Sequence, residues 1–458
     1  MTGKELLNAL NGPRAGDLFA SLYGSENIEE ARRRYAALTG ALLQEADFPP
    51  AVFPETAGEL RVFTAPGRTE LGGNHTDHNR GRVLAASIQL DAAAVVAPRR
   101  DKQVFFRSAG FPDVQVNLAG PDGKLDLSPK TEEQGTTESL VRGIAAEFAA
   151  RGVEPGGFTA NAASTVLQGS GLSSSAAVEV LFAVIFDCLY GGGQRGAVEL
   201  AQMGQKAENV FFGKPSGLMD QAASASGGAV AIDFANPAAP LVRNIPFDPL
   251  SAGFVLCVVN TRGSHADLTP DYAAIPQEMN AAAGCFGKTF LRETSLSAVL
   301  SRAPEIRAAA GDRALLRAIH FFNEDRRAGE MAALLETFHA APDADKKRAL
   351  MDAFMELVNE SGRSSGELLQ NIYSTRNPQA QGISVALALT REFFREHGVR
   401  GACRVHGGGF AGTIQAYIPA VLFDSYRAWI EAVFGSGAVT VLRIRPVGAA
   451  ELVFDRIP

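Results

Sequence analysis

At 458 residues the chain is long enough for two or three domains, each with a full core. Its 46% hydrophobic and 20% charged content excludes a disordered or low-complexity protein, and a net charge of −7 without any Lys/Arg-rich run speaks against a nucleic-acid surface. Four cysteines (Cys188, Cys257, Cys285, Cys403) lie far apart among apolar or small neighbours, which reads as buried reduced thiols in a cytoplasmic protein.

The N-terminal MTGKELLNALNG has no long apolar core, so no secretory signal is expected. Residues 1–59 read as a helical extension and linker. Asn27 with Glu30 has the spacing of a capping box, and Ala31, Tyr35, Leu38 and Leu42 share one helical face. The stretch DFPPAVFPETAG then breaks regular structure with three prolines. From Leu60 the pattern is that of strands, at Leu60–Thr64, Arg82–Ile88, Ala92–Ala97 and Gln103–Ser108.

Between the first two strands lies Ala65-Pro-Gly-Arg-Thr-Glu-Leu-Gly-Gly-Asn-His-Thr-Asp-His-Asn-Arg-Gly81. It gathers Arg68, Glu70, Asn74, His75, Asp77 and Asn79 into a Gly-rich segment. Carboxylates and amides at such density suit a small polyhydroxylated ligand, whose hydroxyls each need a directed donor or acceptor; an exposed polar loop gives the same composition. The His75-x-x-His78 spacing offers two metal ligands but no third at a familiar distance, so a zinc site is not expected.

Gly169-Ser-Gly-Leu-Ser-Ser-Ser-Ala-Ala-Val-Glu-Val180 is a glycine- and serine-rich turn opening an apolar helix. A helix start supplies unpaired N–H groups and a positive dipole end, and glycines allow close backbone approach, so the turn suits a nucleotide phosphate. Taken alone, it is equally an ordinary Ser-rich N-cap. The buried helix Ser175–Leu189 that follows ends at Gly191-Gly192-Gly193, and its longest apolar run, Val180–Phe186, is too short to span a membrane.

An amphipathic helix over Gly196–Phe211 carries Glu208, and the turn Gly213-Lys-Pro-Ser-Gly-Leu-Met-Asp-Gln221 carries Asp220. Two carboxylates beside a phosphate cradle are what phosphoryl transfer uses, one for Mg²⁺ and one to orient the attacking hydroxyl. A surface helix charge at Glu208 and an N-cap at Asp220 are the plainer alternatives.

Strands resume at Ala229–Phe234 and Phe254–Asn260. Gly287-Lys288-Thr289 fails as a P-loop, because Ala282 stands where its first glycine is needed. Residues 313–397 read as mostly helical, interrupted near Ser374–Pro378. His406-Gly-Gly-Gly-Phe-Ala-Gly412 matches GxGxxG, yet Thr413–Ile418 after it alternates as a strand rather than a helix. Its glycines are therefore expected to support a neighbouring site. Val439–Ile444 is the last strand. Mixed elements without a βαβα rhythm give an α+β class in two lobes.

Taken in order, these stretches resemble the GHMP kinases, and the segment Gly67–Leu84 resembles the galactokinases among them, whose signature reads roughly GRxNLxGEHTDYNxGxVL. GLSSSAA at Gly171–Ala177, the MDQ at Met219–Gln221 and the late GGGFxG carry the rest. Further similarity at Asn323–Arg326 and Met355–Tyr373 extends it from about residue 60 to the C-terminus.

The resemblance implies a two-lobed α+β fold of mixed sheets with its active site in the cleft between lobes. The lobes are expected at 60–235 and 236–458, with a soft boundary. It implies an ATP- and Mg²⁺-dependent kinase for the anomeric hydroxyl of galactose. Gly169, Ser170, Gly171, Leu172, Ser173, Ser174 and Ser175 would hold ATP, with Ser175 and Glu208 on the metal. Asp220 would accept or orient the hydroxyl proton beside Arg68, and Asn74, His75, Asp77, Gly217 and Tyr272 would contact the sugar. Partners are then the sugar and ATP, with no nucleic acid or membrane, in a monomer or weak homo-oligomer.

Asn74 replaces a glutamate of the signature, Glu70 an asparagine and His78 a tyrosine. Leu167 replaces a proline and Ala411 a glycine. The first three cluster at the sugar, so they bear on substrate identity: another galacto-configured sugar such as N-acetylgalactosamine is the alternative, and a silent sugar/ATP-binding regulator a more distant one.

Overall fold

Runs of alanine, valine and leucine after residue 60 build two long antiparallel strands, β1 (Arg61–Gly72) and β2 (Arg82–Pro98). The computed structural model describes residues 1–44, 60–167, 171–214, 216–263 and 268–454, so the proline-rich stretch at 47–58 and the residues Gln168, Gly169 and Ser170 lie outside the described residues. Both strands outrun the sequence expectation. β1 continues through Arg68 and Glu70, so half of the polar segment is strand. β2 is one strand where two were expected, because Asp91 stays paired opposite Pro66. The ladder between them shifts register at Pro66/Arg68 and again at Glu70/Gly72, and such bulges re-aim side chains.

The first sheet adds β3 (Gln103–Ser108), β4 (Val114–Asn117), β5 (Phe158–Ser164), β6 (Ala229–Asp233) and β7 (Leu241–Ile245). The second consists of β8 (Phe254–Asn260), β9 (Ala402–Val405), β10 (Thr413–Pro419) and β11 (Val439–Leu442), in the order β11-β8-β10-β9. A last strand, β12 (Ala450–Leu452), returns to pair with β1, giving the first sheet the path β12-β1-β2-β5-β3-β4 with β6 and β7 branching from β2. The first sheet thus takes strands from both sides of the 235/236 boundary, since β7 and β12 belong to it.

Helices cover that sheet on both faces. On one lie α1 (Gly3–Leu10), α2 (Pro13–Tyr23) and α3 (Ile28–Gln44), whose Phe19, Tyr35 and Leu38 pack on Val62, Ala93, Val95 and Leu452. Asn27 does not form the expected capping box; its amide donates to the Tyr23 carbonyl at the end of α2. On the other lie α4 (Thr137–Ala150), α5 (Ser174–Phe186), α6 (Ala197–Lys206) and α7 (Met219–Ser226). A π-turn extends α5 to Gly191, and the whole run Ser174–Gly191 is apolar and long enough to cross a membrane, longer than Val180–Phe186 suggested. Its apolar character has a simpler use, because 61% of it is buried inside the protein.

The second half of the chain supplies α8 (Thr269–Gly284), α9 (Leu296–Ser301), α10 (Ala303–Ala310), α11 (Asp312–Ala340) and α12 (Ala344–Ser364). After a break at 370–381 come α13 (Gly382–Glu396) and α14 (Phe423–Phe434), which pack on the second sheet. All four cysteines are free thiols; Cys257 and Cys403 are buried, whereas Cys188 and Cys285 are half-buried.

Candidate active site

Arg68 leaves β1 at the bulge and is almost fully buried. Its Nε and Nη2 donate to Oδ1 and Oδ2 of Asp220 at 2.8 and 2.9 Å, the bidentate geometry that makes Arg–carboxylate pairs strong. Asp220 is not an N-cap: Leu218 holds that position, and Asp220 lies inside the first turn of α7 with its side chain turned to Arg68 and Ser173. About a third of the Asp220 side chain stays exposed, at 34%. Burial raises its proton affinity, but the Arg68 charge, the Arg68 hydrogen bonds and the Ser173 hydroxyl more than offset it, holding the carboxyl below its usual range.

Arg68 also reaches the turn before α5. Its Nη1 donates to the Gly171 carbonyl and its backbone N–H to the Leu172 carbonyl at 3.0 Å. That approach requires Gly67, where an added Cβ would lie 2.7 Å from the Leu172 oxygen. Ser173 takes a left-handed conformation with φ of 58° and aims its hydroxyl at Asp220. Ser174 and Ser175 form the first turn of α5, Ser175 exposed, where backbone N–H groups point outward at the positive end of the helix.

Asp77 opens a short 3₁₀ turn and sits against Gly217, where a Cβ would fall 2.1 Å from the Asp77 Oδ2. Asp77 thus meets the turn that leads into α7, three residues ahead of Asp220. His75, with φ of 60°, donates from Nε2 to the Gly408 carbonyl at 3.0 Å. Burial, with His78 beside it, pushes its pKa down to about 4, so it is neutral and keeps Nδ1 as an acceptor. The Tyr272 hydroxyl donates to the Gly409 carbonyl at 3.1 Å, and burial pushes it up to about 12. The glycine segment therefore does support the site, as its strand-like sequel suggested.

Asn74 is placed differently from the expectation. It is wholly buried, and its amide is occupied by Glu70, Gly407 and Asn371, so no part of it reaches the surface beside Asp77. Glu208 is also buried, in a π-turn after α6, and is not a surface charge. It accepts from Lys214 Nζ at 2.7 Å, from Ser216 and from Gln221 Nε2 at 3.0 Å. Gln221 also donates to Glu179 at 2.8 Å, a buried carboxyl on α5 that sequence reasoning missed. Burial and the Glu208 charge push Glu179 up to about 8, and its Oε1 has no hydrogen-bond partner among the described residues. A lone carboxyl in the apolar run Ala176–Phe186 was the available signal. Among the described residues no group of three or more His, Cys, Asp or Glu side chains is placed to hold a metal.

α11 fixes the segment from behind. The Glu324 carboxylate accepts from the Gly73 and Asn74 backbone N–H groups at 3.0 and 3.3 Å, His320 Nε2 donates to the Asn74 carbonyl at 3.0 Å, and Asp325 accepts from the Arg82 N–H at 2.7 Å.

Comparison with known proteins shows the family. Residues 139–228 match the GHMP kinases N-terminal domain, and residues 51–98 match the galactokinase galactose-binding signature. A galactokinase of Streptomyces coelicolor is 32% identical over 392 residues, covering 84% of this chain and 91% of that protein. The crystal structure of Lactococcus lactis galactokinase complexed with galactose superposes with a TM-score of 0.69 at 24% identity, over 86% of this chain and 96% of the other. The Methanococcus jannaschii mevalonate kinase superposes at 0.55 with 13% identity, over 85% and 99%.

Proposed function

This chain belongs to the galactokinases of the GHMP kinase family, and from that premise we propose that it transfers the γ-phosphoryl group of ATP to the anomeric hydroxyl of galactose. The observation that carries the reading is the bidentate Arg68–Asp220 pair, joined to the turn that opens α5 and three residues beyond Gly217, which abuts Asp77. A hydroxyl placed at the exposed edge of Asp220 meets an ionised carboxylate to orient it and a guanidinium to stabilise negative charge on its oxygen. Because Arg68 holds Asp220 ionised, the carboxylate is a weak base, which suits a loose transition state in which the proton leaves late.

The residues Gly169 to Ser175 and the positive end of α5 are assigned to the ATP phosphates. Ser175 and Glu208 are the residues assigned to Mg²⁺, and the buried, unpartnered Oε1 of Glu179, linked to Glu208 through Gln221, fits a cation nearby. When bound, Mg²⁺ would neutralise charge on the transferred phosphoryl group. Asp77, His75 and Tyr272, with Gly217 leaving the space, are assigned to the sugar, and Asn74 stands behind them. Free thiols at all four cysteines fit a cytoplasmic enzyme.

Coupled assay of ADP release across a panel of sugars tests the reading. Galactose is expected to give the highest kcat/KM, with N-acetylgalactosamine the first competitor. Absence of turnover with every galacto-configured sugar overturns it.

A further inference from the structure

Glu70 and Asn74 stand in the reverse order to the galactokinase signature, which has asparagine first and glutamate second. Both are buried, and their partners show why the reversal involves the pair. Glu70 is ion-paired with Arg404, a fully buried residue of β9 in the other sheet. One hydrogen of Asn74 Nδ2 is shared between the two Glu70 oxygens at 3.2 and 3.3 Å, and the other goes to the Gly407 carbonyl at 2.8 Å. Asn74 Oδ1 accepts from Asn371 Nδ2 at 2.9 Å. A carboxylate at position 74 has no hydrogen for Gly407 and would face a second carboxylate at position 70, in a buried place where like charges and unmet acceptors are costly.

The same few atoms lead to the sugar side. Asn371 Nδ2 donates on to the Gly408 carbonyl at 3.2 Å, the oxygen that receives His75 Nε2, and the next carbonyl, of Gly409, receives the Tyr272 hydroxyl. The segment that orients His75 and Tyr272 is thus held at Gly407 and Gly408 by two amides, one of which is Asn74.

We propose that Glu70, Asn74 and Arg404 form a matched unit across the two sheets that positions the 407–409 carbonyls, and through them His75 and Tyr272. Asn74 is in this unit a positioning residue, and its departure from the signature is answered at Glu70 rather than by a different sugar. The inference rests on the sugar-side reading given above.

Three variants of the full chain test it: Asn74→Glu, Glu70→Asn and the double exchange. Steady-state KM for galactose and for ATP is read together with hydrogen exchange of the 405–413 peptide in the unliganded protein. Asn74→Glu should raise the galactose KM by about tenfold or more, speed exchange at 407–410, and leave the ATP KM within about twofold. The double exchange should return both galactose KM and hydrogen exchange towards wild type. Asn74→Leu, which removes the hydrogen bonds without adding charge, should reproduce the galactose-side loss. Single effects that merely add in the double variant overturn the proposal, as does an Asn74→Leu protein with wild-type galactose KM and exchange. If the wild type turns over no galactose, the functional reading fails, while the exchange measurements still decide whether the unit exists.

Discussion

At Asp220 burial and the Arg68 charge oppose one another, and the charge prevails, leaving an ionised carboxylate at a partly open edge. Asp220→Asn keeps the shape and loses that charge. Turnover should fall by about a thousandfold, while galactose affinity, read by calorimetry, stays within a few-fold. An Asp220→Asn enzyme that retains turnover would remove Asp220 from the reaction. Gly217→Ala acts on the neighbouring carboxylate, since its methyl would lie 2.1 Å from Asp77 Oδ2. The displaced Asp77 should lower kcat/KM for the sugar by about a hundredfold, with the ATP KM little changed, in a steady-state assay. The polar segment with Arg68 and Asp77 and the turn with Asp220 were legible as segments, and the resemblance to the GHMP kinases singled out these three residues within them. The seclusion of Asn74 was not, because its partners Asn371 and Gly407 lie about three hundred residues away and are brought in only by the fold.

Among the elements, α11 shows how a helix without a residue in the reaction shapes the site. His320, Glu324 and Asp325 share about one turn and hold the backbone of residues 73, 74 and 82. The Asn323–Arg326 similarity marked this helix, but a single sequence gives no view of the backbone groups it would receive. The long reach of β1 and β2 was hidden likewise, since glycines and polar residues read as a loop until a partner strand is present. Burial works against the Glu324 charge, yet Arg327 and the surrounding donors hold its carboxyl at about 2. Because the folded value is depressed, the stabilisation is complete above the ordinary glutamate range near 4.5 and is lost as pH falls from there towards 2. Glu324→Gln leaves the buried Arg327 without its close partner and should cost about 3–5 kcal/mol near neutral pH. In thermal melts, the gap in Tm between wild type and Glu324→Gln should narrow between pH 5 and pH 3. A gap independent of pH would show that the carboxylate's charge is not what stabilises the segment.

Across the whole molecule, one buried carboxylate ties the N-terminal helices to the β12-β1-β2 end of the first sheet. Asp91 on β2 is fully buried and ion-paired with Arg34 of α3 at 2.7 Å and with Arg445 at 3.1 Å, just ahead of β12. It also accepts from the Tyr23 hydroxyl of α2 at 2.7 Å and from Thr64 of β1. Burial alone would raise its pKa, and the two arginines with these hydroxyls hold it below the usual range. The extension is therefore a layer of the fold, covering a sheet face that would otherwise expose Val62, Ala93, Val95 and Leu452. Breaking a buried pair from one side is more damaging than replacing it whole, because the remaining charge keeps its desolvation cost. Arg34→Ala leaves Asp91 paired with Arg445 among the described residues and should destabilise the protein by about 3 kcal/mol in urea unfolding. Exposed Arg33, one residue earlier on the same helix, is the control, and Arg33→Ala should stay within about 0.5 kcal/mol of wild type. Equal, small effects at both positions would mean that the three helices are held by their apolar face alone and that the Asp91 cluster adds nothing to their attachment.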